Sequence, residues 1–304
     1  MSDWPELDVR CDAATFATLH LVSQMLGKLR VAYAPWVNHG WHVTLHPTAY
    51  GLEAPPIAAG ERAYALAIDL CRHAVTLAIS DGSRDQVAFD GQTVAELHRD
   101  LIAMLDRHGI PSRFNGKPSE IADAKRFADD HEARGYDRDS ATRLLGALNA
   151  VVPVFEKFRA GFSGKASPVH FFWGGFDLAV TRFSGREAPP HPGGIPNMPD
   201  RIMREAYSHE VSSAGFWPGG VTAAAPIFYS YAYPDPDGFR DTPVEPAAAR
   251  FDKDLGEFIL PYAEVRAAAD PEGTLMRFLQ STYDAAANHA HWDRKALERE
   301  PVAP

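Results

Sequence analysis

Apolar residues recur at helical spacing over 13–30, where Phe16, Leu19, Val22, Leu26 and Leu29 share one face and no proline interrupts. A second stripe, Val94, Leu97, Leu101 and Met104 or Leu105, predicts a helix over 94–108. Its ends are marked, since Thr93 with Glu96 fits a capping box and Gly109 suits the position just past the last turn. A third helix is predicted over 140–162, with Pro153 expected to kink or break it. The last, over 271–289, has Asp270 as its cap and Pro271 in its first turn, and turns Leu275, Phe278, Leu279 and Thr282 inward.

Elsewhere the period falls to two. Strands are predicted over 41–50, 64–70, 74–79, 86–89 and 227–233, with Asp81-Gly82 as a hairpin turn. Tyr229, Tyr231 and Tyr233 then share one face of their strand. The pattern predicts an α+β fold of two similar halves, each a small, mainly antiparallel sheet covered by helices. The first half covers residues 1–110, a polar connection 111–139, the second half 140–293, and a loose tail 294–304. Both halves run helix, Gly-Lys (Gly27-Lys28 and Gly164-Lys165), proline turn (Pro35 and Pro168) and strand (41–51 and 176–185). An internal duplication and coincidence both account for that order.

Composition narrows the class. The chain has 304 residues, 45% hydrophobic and 23% charged, enough for a substantial core. Its net charge of −10 argues against a general nucleic-acid binder. Cys11 and Cys71 stand far apart and support neither a disulfide framework nor cysteine catalysis. With no signal-like start and no long apolar run, the expected location is the cytoplasm, without a membrane partner.

Four stretches carry most of the unusual sequence: Pro35-Trp-Val-Asn-His-Gly-Trp-His-Val-Thr-Leu45, Ser167-Pro-Val-His-Phe-Phe-Trp-Gly-Gly-Phe-Asp177 with its continuation to Arg186, 206–220, and 228–234. Together they resemble one bacterial family, catalogued only as a domain of unknown function (family 5996). The resemblance spans nearly the whole chain and implies membership. It carries over no catalytic residue, so the chemistry has to be read from the side chains.

Histidines and carboxylates are the first candidates: His39, His42, His46, His170, His191 and His209, with Glu210. As a set, His42, His170, His209 and Glu210 would hold a divalent metal (zinc, iron or manganese) with a position open for water or substrate. The same His170, His209 and Glu210 would serve as acid–base groups. Two features weigh against the set: there is no HExxH helix, and the adjacent His209 and Glu210 diverge in regular structure. For each histidine a hydrogen-bonded core position is the competing reading.

Lys165 and Arg182 are candidate contacts for a small anionic molecule, with internal ion pairs as the alternative. Trp173 and Trp217 would wall a substrate pocket, with Gly174-Gly175 and Gly219-Gly220 letting backbone approach a ligand. Ordinary core packing would use the same residues. No GxGxxG or GxSxG sequence occurs. The five prolines between Pro189 and Pro199 make either a rigid loop over a pocket, with His191 inward, or a plain connector.

These signals predict a small-molecule enzyme, metal-dependent or metal-free, acting on an anionic substrate where 41–50, 167–186 and 207–220 meet. Hydrolysis and non-haem oxidation both fit. The rivals are a non-catalytic small-molecule binder and a structural or partner-binding module.

Overall fold

In the computed structural model, which describes residues 4–299, all strand pairings are antiparallel. The first sheet is a meander of five strands in chain order: β1 (His46–Thr48), β2 (Gly51–Ala59), β3 (Arg62–Asp69), β4 (Ala74–Ile79) and β5 (Arg84–Ala88). The second runs β6 (His170–Phe172), β7 (Asp177–Glu187), β8 (His209–Trp217) and β9 (Ile227–Tyr233). β11 (Glu257–Pro261) and then β10 (Arg250–Asp252) complete its far edge. Long helices precede and follow each sheet: α1 (Val9–Tyr33) and α2 (Val94–Arg107) in the first half, α3 (Arg138–Ala160) and α6 (Pro271–His289) in the second. Shorter helices are α4 (Asp200–Ala206), α5 (Tyr262–Ala267) and α7 (Arg294–Leu297).

The predicted architecture of two similar α+β halves is therefore present. In both, a three-residue strand leads a longer meander. The sheets meet at those short strands: Leu45 N–H donates to Phe171 O at 3.0 Å, and Phe171 N–H to Leu45 O at 2.7 Å.

α1 sits at the centre, with every residue from Thr18 to Arg30 buried. Burial all round explains why its polar residues are spoken for. His20, Gln24 and Lys28 form a stripe at four-residue spacing. His20 donates to Gly174 O at 2.8 Å, and Gln24 exchanges bonds with the Ser119 backbone at 2.9 and 2.7 Å. Lys28 donates to Ser119 Oγ at 2.7 Å. That stripe fixes the connecting segment and the Gly174 turn against the helix.

Several local expectations need correction. Residues 41–50 are not one strand: Asn38–Val43 is a 3-10 turn with His39 and Gly40 at positive φ, Leu45 makes a single bridge to Phe171, and only His46–Thr48 forms a strand. β2 was missed because Pro55 and Pro56 interrupt its pattern. They lie at the bulge in its ladder with β3, where Arg30 takes both carbonyls at 3.0 and 3.1 Å. Pro153 does not break α3; it lies on the exposed face, while Leu148, Val151 and Phe155 hold the buried one. Residues 294–299 are not loose either. α7 leads into Glu298, which pairs with Phe162, and Arg299 N–H donates to Gly161 O at 3.0 Å. The remaining tail lies outside the described residues. Among those described, no helix is long and apolar enough to cross a membrane.

Candidate functional site

Strand periodicity divides the second sheet into two faces. On one, Leu178 and Val180 of β7, Phe216 of β8, Phe228 of β9 and Leu260 of β11 join the apolar core. On the other, Asp177, Ala179, Thr181 and Phe183 of β7, Ser213 and Trp217 of β8, Tyr229 and Tyr231 of β9, and Glu257 of β11 form the floor of a cavity of about 620 Å³. The first half supplies a wall from Lys28 of α1 and the 3-10 turn at His39–Val43. The connecting segment adds Asn115, Ser119 and Glu120, and the loop and helix at 197–207 close over the top. The cavity thus lies at the junction of the halves, between the three stretches named from the sequence.

Small residues shape the floor. Register places Ala179 opposite Gly215, and Gly215 opposite Tyr229. With no side chain at Gly215, the Tyr229 phenol lies flat across that row; a Cβ there would overlap the ring. The phenol O–H donates to Asp177 Oδ2. Trp217 stacks on Tyr229 at 4.2 Å, and the Tyr231 hydroxyl meets that of Tyr207 at 2.7 Å. Gly174 and Gly175 act in the same way: a Cβ on Gly174 would overlap the Glu120 carboxylate, and one on Gly175 would come within 2.6 Å of Asp177 Oδ1. The glycine pair makes room for carboxylates rather than for a ligand backbone.

Asp177 is only 7% exposed, and burial raises its pKa to about 7 against the pull of the Tyr229 hydrogen bond. Its Oδ1 takes no hydrogen bond from another of the described residues. Burial likewise lifts Glu257 to about 8, with Asp177 adding repulsion, and Glu257 Oε2 is buried without a partner. Glu120 is pushed upward by the protein around it and drawn back by Lys28, yet it stays open to solvent within the cavity. Lys28, 6% exposed and 5.7 Å from the Trp173 ring centroid, is pushed down to about 8 by desolvation. The Trp217 indole N–H is buried and unpartnered.

Backbone strain gathers here too. His39, Glu120 and Asn197 line the cavity at φ of 59°, 65° and 55°, and Phe176, between lining residues Gly175 and Asp177, has φ 56°. Each left-handed non-glycine residue costs about 1 kcal/mol or more, and such residues cluster at functional sites.

Residues 4–299 match the model of a family of unknown function, DUF5996. The chain belongs to that family. No curated protein and no solved structure matches it.

In this DUF5996 chain the residues singled out from the sequence go to different places. Trp173 and Trp217 line the cavity, and so does His42, which stacks on Trp36 at 4.6 Å and accepts from Val37 N–H at 3.3 Å. His170 is fully buried on β6, both ring nitrogens without partners, and burial drives it down to about 3, so it is uncharged. Its ring neighbours are Trp41, His46 and Phe172. His209 lies beside His39 instead, with ring centroids 5.8 Å apart. Glu210 is held by Arg186 at 2.7 Å. The proposed set of His42, His170, His209 and Glu210 is therefore not brought together, and no group of three or more metal-ligating side chains occurs among the described residues.

The two cationic candidates also have protein partners. Arg182 projects from the opposite face of β7 into a cage of Phe158, Phe162 and Tyr283, and donates to Phe158 O. Lys165 donates to His39 Nε2 at 2.6 Å, while His39 Nδ1–H donates to Ala206 O at 3.1 Å. His191 stacks on Tyr207 at 4.8 Å, and it is Asn197, Met198 and Pro199 of the proline-rich loop that reach the cavity.

Sequence reasoning noted Lys28 only as positive charge beside a motif and did not single out Glu120, Tyr207 or Glu257. Only Lys28 left a usable signal, the polar stripe His20, Gln24 and Lys28 on an otherwise apolar helix.

Proposed function

We propose that the chain is a small-molecule enzyme whose cavity between the halves carries out proton transfer, with Asp177 as the acid–base group and Tyr229 as its positioning partner. One observation carries the reading: Asp177 is nearly buried on the cavity floor, with one oxygen held by Tyr229 and the other without a partner from another residue. A carboxyl with a pKa of about 7 both accepts and returns a proton at neutral pH, which suits a general acid–base group. The Tyr229 hydrogen bond fixes its orientation, and the Trp217 N–H and the Tyr207–Tyr231 hydroxyl pair offer groups to hold the substrate. The size and aromatic walls match a small organic molecule. Lys165 and Arg182 do not line the cavity, so the reading does not rest on them.

The test is a small-metabolite library screened by native mass spectrometry and followed for turnover by NMR. Parent chain, Ala206→Trp (which fills the cavity from α4) and Asp177→Asn are run side by side. At least one compound should bind the parent, lose binding to Ala206→Trp, and turn over about 100-fold more slowly with Asp177→Asn while still bound. Binding indifferent to Ala206→Trp, or turnover indifferent to Asp177→Asn, would overturn the reading. A compound bound in the cavity and never turned over would make the chain a ligand-binding protein.

A further inference from the structure

We infer that the ligand of this cavity carries a positively charged nitrogen group, an ammonium or a guanidinium, seated at the Asp177 carboxyl, with the Glu257 carboxyl of the same lining adding its charge. The inference rests on the small-molecule reading and names the chemistry of its ligand.

Three carboxyls, Glu120, Asp177 and Glu257, line one cavity, and none of them joins an ion pair among the described residues. Elsewhere in the molecule a buried carboxylate has its cation: Asp12, fully buried, is held by Arg143 at 2.5 Å, and Asp130 by Arg134 at 2.8 Å. Leaving Asp177 and Glu257 unpaired in low dielectric is costly unless they stay protonated or a charge arrives from outside. The open valences are specific. Asp177 Oδ1 takes no bond from another described residue, and Glu257 Oε2 is buried with none.

The surrounding rings favour the same charge. Trp217 and Tyr229 lie 4.2 Å apart with their planes tilted by 35°, and Tyr229 and Tyr231 lie 6.2 Å apart; these electron-rich rings line the same cavity and favour a cation over an anion. The Trp217 N–H adds a second constraint. Asp177 Oδ1 and Trp217 Nε1 both lie beside Gly175, 2.6 and 3.7 Å from where a Cβ on it would stand, so an acceptor and a donor share one corner of the cavity. A ligand meeting both has a cationic N–H donor with an acceptor atom close by. Lys28 does not answer the carboxyls on the floor: its hydrogen bond goes to Ser119 Oγ and its nearest acidic influence is Glu120.

Three probes of one shape separate the possibilities: benzylguanidinium, the neutral isostere benzylurea, and the anion phenylacetate, each titrated calorimetrically at pH 8 into the full chain. Benzylguanidinium should bind at least tenfold more tightly than benzylurea, with phenylacetate weakest. That preference should fall at least fivefold in Glu257→Gln and in Asp177→Asn, with thermal melts confirming that both variants fold. All binding should be lost in Ala206→Trp. If benzylurea or phenylacetate binds as tightly as the cation and Ala206→Trp abolishes it, the cavity is a ligand site and the charge assignment is wrong. Failure of all three probes, or binding that survives Ala206→Trp, overturns the inference; only failure of the wider library as well overturns the small-molecule reading.

Discussion

Asp177 is placed where a carboxylate weakens the fold. Its folded pKa of about 7 stands above the ordinary 3.8, so the folded chain holds a proton that the unfolded chain releases. Stability from this group is therefore present at low pH and is lost as pH rises from about 4 to about 7. The groups facing it are Tyr229, Glu257 and Glu120, with Lys28 beyond Glu120. Buried His20 and His170, pushed down to about 4 and about 3, act the opposite way, losing stability as pH falls through the same acid range. The difference between Asp177→Asn and the parent isolates the carboxyl. Three pKa units correspond to roughly 4 kcal/mol. Allowing half for imperfect fit of the amide, the variant should gain on the order of 2 kcal/mol at pH 8 and little at pH 4 in urea denaturation. A loss at both pH values would mark the carboxyl as a structural group. A stabilising change at a site that costs activity is the expected signature of a functional residue.

Among the elements, the capped helices were legible from the sequence because their signals are local. Thr93 and Glu96 form the capping box that starts α2, and Asp270 with Pro271 starts α6. Alternation on β9 also placed Tyr229 and Tyr231 on one face, which became part of the cavity floor. What could not be read was set by distant partners. Glu120 sits in an irregular connection whose position depends on Gln24 and Lys28 of α1, about ninety residues earlier in the chain. Glu257 lies on a strand whose place in the sheet depends on the pairing of β11 with β9. The histidines named from the sequence are engaged locally: His42 stacks on Trp36, His170 packs among Trp41, His46 and Phe172, and His209 lies beside His39. Pro153 shows local propensity overridden by packing. Since its ring faces solvent, Pro153→Ala should raise stability by about 2 kcal/mol, restoring a helical hydrogen bond less the entropy regained by the unfolded chain. A lower melting temperature would show that α3 needs the proline to follow the sheet.

At the scale of the whole molecule, the two halves share one central helix and one cavity. α1 binds the connecting segment through Gln24 and Lys28, the Gly174 turn through His20, and the β2 bulge through Arg30. Lys165 of the second half reaches His39 of the first, and the Leu45–Phe171 bridge ties the sheets. Strain at His39, Glu120, Phe176 and Asn197 is held by this frame, which places a rigid floor under a wall contributed by the other half. The central claim is that the frame exists to hold a proton on Asp177 and to exchange it for a bound cation. Its most direct test is a carboxyl carbon-13 NMR titration of Asp177, assigned with Asp177→Asn, with and without saturating benzylguanidinium. The account predicts a midpoint of about 7 in the free chain, falling by at least one pH unit when the probe is bound. A midpoint in the ordinary carboxylate range, unmoved by the probe, would contradict it.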